Sequence, residues 1–211
     1  CFSKVSLLFS KPICDKMGGI VDKRRNEMKK LSSRLYKGQS FMQNIPDYTV
    51  VDIETTSLDA GRGEILEISA VKVRGEKETY FSELIKVNNE VGYFTTRLTG
   101  ITDEMVRQEG KDLIQVLQAF QEFLGKDVIV GHNVNFDIDF LYDSMQENLN
   151  AYLTNDYIDT LRLSRKVLPT LSHHKLDDLI DYFHLTKRNE HRALNDCILT
   201  NQVYRRLAGY L

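Results

Sequence analysis

Apolar residues change their spacing several times along this chain. In "YTVVDIETTSLD" (Tyr48 to Asp59) a β-branched run, Val50, Val51 and Ile53, predicts a buried strand over Tyr48–Glu54. "EILEISAVKVRG" and "KETYFSELIKV" predict two more strands. Their short link, "RGEK", suits a hairpin, so they should pair antiparallel. A loop through "LTGITDEMV" should lead into helices over 103–108 and 112–124. "DVIVGHN" reads as a fourth, buried strand, a helix is expected from about Asn135 to Glu147, and "DYIDT" reads as a short fifth strand with helices after it. A three-stranded meander followed by strand–helix alternation predicts an α/β domain with a mixed sheet.

The first 45 residues read differently. Val21, Met28, Leu31 and Leu35 recur at helical spacing with Gly38 as a stop, and Lys23, Arg24, Arg25, Lys29, Lys30, Arg34 and Lys37 supply the polar face. Residues 1–45 hold ten Lys/Arg and three Asp/Glu (+7), which leaves 18 and 27 for the rest (−9). A basic, helical N-terminal arm (1–45) is therefore expected ahead of an acidic domain (46–211). Two readings of the arm stay open, a solvated helix or a contact for nucleic acid or a partner.

The 42% hydrophobic and 27% charged composition is that of a globular chain, and no apolar run approaches membrane-spanning length. Cys1, Cys14 and Cys197 form no CxxC pair, which favours a cytoplasmic setting over a disulfide framework. The "GRG" at Gly61–Gly63 lacks the Lys-Ser/Thr ending of a phosphate loop and reads as a turn.

The chemistry begins with two acids inside the first strand. Asp52 and Glu54 lie two residues apart and share one strand face. Like charges so close raise each other's pKa unless something neutralises them. Either the strand is half exposed, or the pair serves hard divalent cations, which prefer carboxylate oxygens.

Two further acids interrupt apolar helix faces. Asp137 shares its face with Val134, Leu141 and Ser144, whereas Asp139 lies with Tyr142, Asp143 and Gln146 and reads as solvated. Asp196 interrupts the stripe Ala193, Thr200, Val203, Leu207, a costly place for a charge without a partner or metal. A helix-start carboxylate for Asp137 and a salt bridge for Asp196, with Arg192 or another arginine, are the plainer readings. His191 precedes Asp196 by five residues, a rotation of about 140°, so it should sit in the approach to that helix and reach over the site. His173, His174 and His184 read as surface or packing residues.

"DIETTSLD", "LTGIT", "GHNVNFD" and "HRALNDC" resemble, in order, the signature segments of the DnaQ-like 3′→5′ exonucleases, the DEDD group with a histidine. The resemblance covers about Tyr48 to Leu207 and looks most like the proofreading subunit or domain of bacterial DNA polymerase III. It implies an RNase H-like fold, a five-stranded mixed sheet flanked by helices. It implies that Asp52, Glu54, Asp137 and Asp196 hold two divalent cations, Mg²⁺ or Mn²⁺, and that His191 is the general base. Thr55 and Leu98 match positions that contact the terminal nucleotide, and His132 and Phe136 lie beside the site. The implied partner is the 3′ end of a nucleic acid, DNA rather than RNA, alongside a replicative polymerase subunit. Ser57 departs from the family pattern, where many members carry glycine. An exoribonuclease of the same superfamily and a non-catalytic nucleic-acid-binding or polymerase-docking module are the alternatives.

Overall fold

A computed structural model describes residues 34–59, 63–186 and 192–211. The chain divides into two units, Cys1–Leu35 and Tyr36–Leu211. Of the first, only Arg34 and Leu35 are described, so the basic helix expected there lies outside the described residues.

The second unit is built on five strands, β1 (Asp47–Thr55), β2 (Ile65–Arg74), β3 (Lys77–Leu84), β4 (Ile129–Gly131) and β5 (Tyr157–Asp159), in the order β3-β2-β1-β4-β5. β1 to β3 are antiparallel neighbours, and β4 and β5 run parallel to β1. This is the mixed α/β sheet that the period-two runs predict. Seven helices are described: α1 (Tyr93–Thr99), α2 (Asp103–Glu109), α3 (Leu113–Leu124), α4 (Asn135–Leu149), α5 (Thr160–Val167), α6 (Leu176–Tyr182) and α7 (Ala193–Ala208). Among the described residues no helix is long and apolar enough to cross a membrane.

Strand alternation sorts side chains into two layers. Val51, Ile53, Ile68, Ala70 and Ile129 pack with Phe120 of α3 and with Ile138 and Leu141 of α4. Val50, Val71, Val130 and Ile158 pack on the other face with Cys197, Val203 and Leu207 of α7. Asp52 and Glu54 share the parity of Val50, so they point into the layer that α7 covers.

Residues 36–45, expected within the arm, belong to the compact unit. Phe41 N–H donates to the Tyr157 carbonyl (3.0 Å) and Tyr157 N–H to the Gln39 carbonyl (3.0 Å), which covers the open edge of β5. Phe41, Met42 and Ile45 pack beside α7. Gly38, expected to stop a helix, has another reason to be glycine: a Cβ there would collide with the backbone of Asn155.

Helix α1 runs into the "LTGIT" segment, taking in its Leu98 and Thr99 where a loop is expected. Only Thr99 of its residues is buried, Tyr93, Phe94 and Leu98 being exposed, and so short a helix falls below the window in which periodicity decides. It ends at Gly100, whose φ of 72° is left-handed and whose N–H caps the Thr96 carbonyl.

Candidate metal centre and nuclease site

The site collects at the end of β1. Asp52 lies opposite Ser69 of β2 and Glu54 opposite Glu67, and the register slips between Glu54 and Thr55. Such irregularities bend a strand and re-aim its side chains. Helix α7 crosses this face with Asp196 in its first turn. The outcome is a cluster: Asp52, Glu54 and Asp196 each offer a carboxylate oxygen, all within 4.8 Å of one another.

Asp137 comes from the opposite layer. Gly131 closes β4, and Asn133 turns the chain into α4 with a left-handed φ of 59°, a conformation asparagine tolerates. The Asn133 N–H donates to Asp159 Oδ1 (2.9 Å), which fixes the turn. Helix α4 then buries Asp137 in its first turn, where Oδ1 accepts the Ile53 N–H (3.1 Å). The acid is thereby tied to the residue between Asp52 and Glu54. The expected face assignment holds for Asp137. Asp139, expected in solvent, is half buried and paired with Lys37 at 2.6 Å.

The electrostatics of this corner are strained. Burial, then the charges of Asp137, Glu54 and Asp196, push the Asp52 carboxyl well above the usual range. Burial and the charges of Asp196 and Glu67 push Glu54 up to about 7, with Arg192 opposing. Burial pushes Asp137 up to about 8, against backbone N–H bonds that lower it. An all-oxygen cluster that resists its own ionisation fits hard divalent cations, which would supply the missing positive charge.

One residue here escaped the sequence reading, and Arg192, expected as a salt-bridge candidate for Asp196, grips that residue. Glu67 is fully buried on β2, where Arg192 grips it in a fork: Nη2 lies 2.8 Å from Oε1 and Nε 3.2 Å from Oε2. Arg192 also begins α7, its carbonyl accepting the Asn195 and Asp196 N–H groups at 2.8 and 3.2 Å. The pair therefore seats the helix end that carries Asp196. A signal was available, because Glu67 interrupts the apolar run Ile65–Val71 as Asp52 interrupts its own.

The remaining residues singled out from sequence spread around this corner. Thr55 continues β1 past Glu54, and its hydroxyl donates to the Ser57 carbonyl (2.8 Å). Ser57 Oγ in turn accepts the Asp59 N–H (3.2 Å), a bond that the glycine of many relatives could not make. Leu98 is 71% exposed on α1. Phe136 packs on Phe140 with ring centroids 4.9 Å apart. His132 follows β4, its Nδ1 3.0 Å from Thr160 Oγ1. His191 lies outside the described residues.

Residues 49–204 match the exonuclease (RNase_T) family. The chain is 40% identical over 162 residues to the PolC-type DNA polymerase III of Latilactobacillus sakei, an alignment that takes 76% of this chain and 11% of that protein. It is 36% identical over 163 residues to the PolC-type DNA polymerase III of Caldanaerobacter subterraneus, covering 75% of this chain and again 11% of the relative. The chain thus spans about a tenth of the length of these curated relatives. Among solved structures, exonuclease X in complex with 5′ overhanging duplex DNA aligns with a TM-score of 0.62 at 23% identity, covering 77% of this chain and 91% of that one. E. coli exonuclease I with a dT13 oligonucleotide aligns with a TM-score of 0.64 at 16% identity, covering 77% and 40%. At these identities the structures establish the shared fold. The chain therefore belongs to the RNase_T exonuclease family, whose model matches most of its length.

Proposed function

We propose that this domain removes nucleotides from the 3′ end of single-stranded DNA, in a metal-dependent hydrolysis that releases nucleoside 5′-monophosphates, as the proofreading activity of a replicative polymerase. The observation that carries this reading is the convergence of Asp52, Glu54 and Asp196 within 4.8 Å, with buried Asp137 tied to the intervening Ile53. The similarity to PolC-type polymerases supports the proofreading setting.

In this reading Asp52, Glu54, Asp137 and Asp196 hold a pair of divalent cations, Mg²⁺ or Mn²⁺. Bound there, such a pair supplies an activated water and charge stabilisation for the departing 3′ oxygen. The protein's own part is placement. The Ile53 N–H orients Asp137, and the Arg192–Glu67 fork seats the first turn of α7 beneath Asp196. Thr55 and Leu98 fix the terminal nucleotide, with His132 and Phe136 shaping the surroundings. His191 takes the proton from the attacking water, a role matched to an imidazole with a reference pKa of about 6.5.

The test is degradation of a 5′-labelled single strand with Mn²⁺ or Mg²⁺. A ladder shortening from the 3′ end, abolished by EDTA, is expected. Degradation at full rate in excess EDTA would sink the proposal. Matched RNA serves as the second substrate, and faster loss of RNA would move the assignment to the exoribonucleases.

A further inference from the structure

A second opening lies at the same end of the sheet as the acids. β4 and β5 run parallel to β1, with Val50 level with Val130 and Gly131 level with Asp159. Continued along the strands, this register puts His132 and Thr160 at the height of Asp52. A cavity of about 500 Å³ opens there, lined by His132 and Asn133 after β4, Arg165 of α5, and His173, His174 and Lys175 before α6. Its volume falls within the range of small-ligand sites. The carboxyl ends of parallel strands are where open α/β sheets bind ligands.

Charge sets this cavity apart from the domain around it. Residues 46–211 carry 18 Lys/Arg against 27 Asp/Glu, yet no acidic residue lines the cavity among the described residues. Arg165 and Lys175 are exposed and form no ion pair among the described residues. Their charges are therefore available to a ligand. The wall behind them is set: His174 Nδ1 lies 3.0 Å from Ser164 Oγ, and the Thr160 hydroxyl beside His132 donates to the Gly131 carbonyl (3.1 Å). Burial holds His132 below its ordinary pKa, against the charge of Asp159, which works to raise it. Arg165 and Lys175 are the permanent cations in this lining.

We infer that this cavity binds a phosphate of the nucleic-acid backbone, upstream of the phosphodiester held at the acidic corner, through Arg165 and Lys175. The inference rests on the nuclease reading, because one strand would occupy both openings. Neighbouring strands lie about 4.8 Å apart, so β1 and β5 are separated by roughly 10 Å, within reach of a single extended oligonucleotide. The acidic corner repels a bare phosphate chain. A cationic hold farther along the same edge offsets that repulsion and keeps the 3′ end in place.

The test is equilibrium binding of a labelled single strand about ten nucleotides long, in EDTA so that nothing is cleaved, followed by fluorescence anisotropy. For the double variant R165A/K175A the affinity should fall about tenfold at about 50 mM salt. Its log-affinity against log-salt slope should shrink by about 1.4, which is two phosphate contacts on a single strand at about 0.7 each. The exchanged pair R165K/K175R, which keeps both charges, should restore most of the affinity. An unchanged affinity and slope in R165A/K175A overturns the inference, as does equal loss in the charge-keeping pair. Inorganic phosphate and a nucleoside monophosphate serve as competitors. If either displaces the strand at its own strand-like affinity, the cavity takes a free anion and the inference fails. Cleavage of the same strand by the unaltered protein with Mn²⁺ is scored separately. Binding that depends on Arg165 and Lys175 without cleavage removes the nuclease reading and keeps the pocket. Cleavage with binding indifferent to both cations does the reverse.

Discussion

Strand β1 has carboxylates at both ends, and the protein treats them in opposite ways. At its start lies Asp127, which accepts the Thr49 hydroxyl (2.6 Å), the Arg74 guanidinium (2.6 Å) and, farther off, the Lys72 ammonium (3.4 Å). Burial works against this charge, but those donors prevail and hold its carboxyl below the usual range. At the other end Asp52, Glu54 and Asp137 are all pushed upward, by burial first and then by one another and by Asp196. Arg192 eases Glu54, yet its guanidinium is held by Glu67. A carboxylate held by cations stabilises the fold, whereas acids that raise one another's pKa mark a candidate ligand site. One strand displays both cases, and the difference between them is open to experiment.

The largest effect should come from removing a member of the acidic cluster. Asp52→Asn or Asp196→Asn should abolish turnover, a loss of at least about 10³-fold, comparable to or beyond deletion of one preorganised electrostatic group. The same Asp52→Asn should raise the melting temperature in EDTA, because it removes a repelling charge from a buried corner. A lower melting temperature together with retained turnover would make this end of β1 structural, like the other. Next comes His191→Ala, expected to lose roughly 10²–10⁴-fold in rate, the scale of a general base. Single-turnover rates across pH test it: the variant should lose the limb of the profile that reports the general base in the parent.

These contrasts were partly written in the sequence. Apolar, β-branched runs marked the strands, and an acid inside an apolar stretch marked Asp52, Glu54, Asp137 and Asp196, because burying a lone charge is costly whatever the fold. Glu67 bore the same mark. Its meaning depends on Arg192, 125 residues away, and such a pairing is fixed by topology rather than by spacing. His173 and His174 read from sequence as surface or packing residues because they show no metal-like pairing with cysteines. They line a cavity only because α5 and the loop before α6 fold back over the end of β4. Helix α1 was invisible for a different reason: about two turns of helix are too short for periodicity to decide, and its apolar residues face outward.

Proton linkage gives a third, smaller contrast. In metal-free protein Glu54 rises from 4.5 to about 7 and Asp137 from 3.8 to about 8. Between the ordinary and raised values the folded state keeps protons that the unfolded chain has released, so stability falls as pH rises. The melting temperature in EDTA should therefore decline from about pH 4.5 to about pH 8. Saturating Mn²⁺ should flatten or invert that decline, because cations bind the ionised cluster of the folded state, with about 2.7 kcal/mol gained at a hundredfold excess over Kd. A decline that Mn²⁺ leaves untouched would separate these shifts from metal binding.

The smallest effect belongs to the satisfied end. Asp127 has a depressed pKa, so its contribution is present above the ordinary carboxylate range and lost as pH falls through the folded value. Asp127→Asn keeps the shape and the Thr49 bond but gives up its charge toward Arg74 and Lys72. Arg74 is 40% exposed and Lys72 21%, so solvent screens part of that loss. A cost of about 1–2 kcal/mol is expected, toward the lower end for hydrogen bonds to charged groups. Denaturant midpoints at neutral pH should show it, and the gap between parent and variant should close in acid. Turnover should stay within about twofold, since Asp127 lies at the far end of β1 from the cluster. A tenfold loss of turnover at unchanged stability would mean that the two ends are coupled through β1, and the division between a structural and a chemical carboxylate would have to be redrawn.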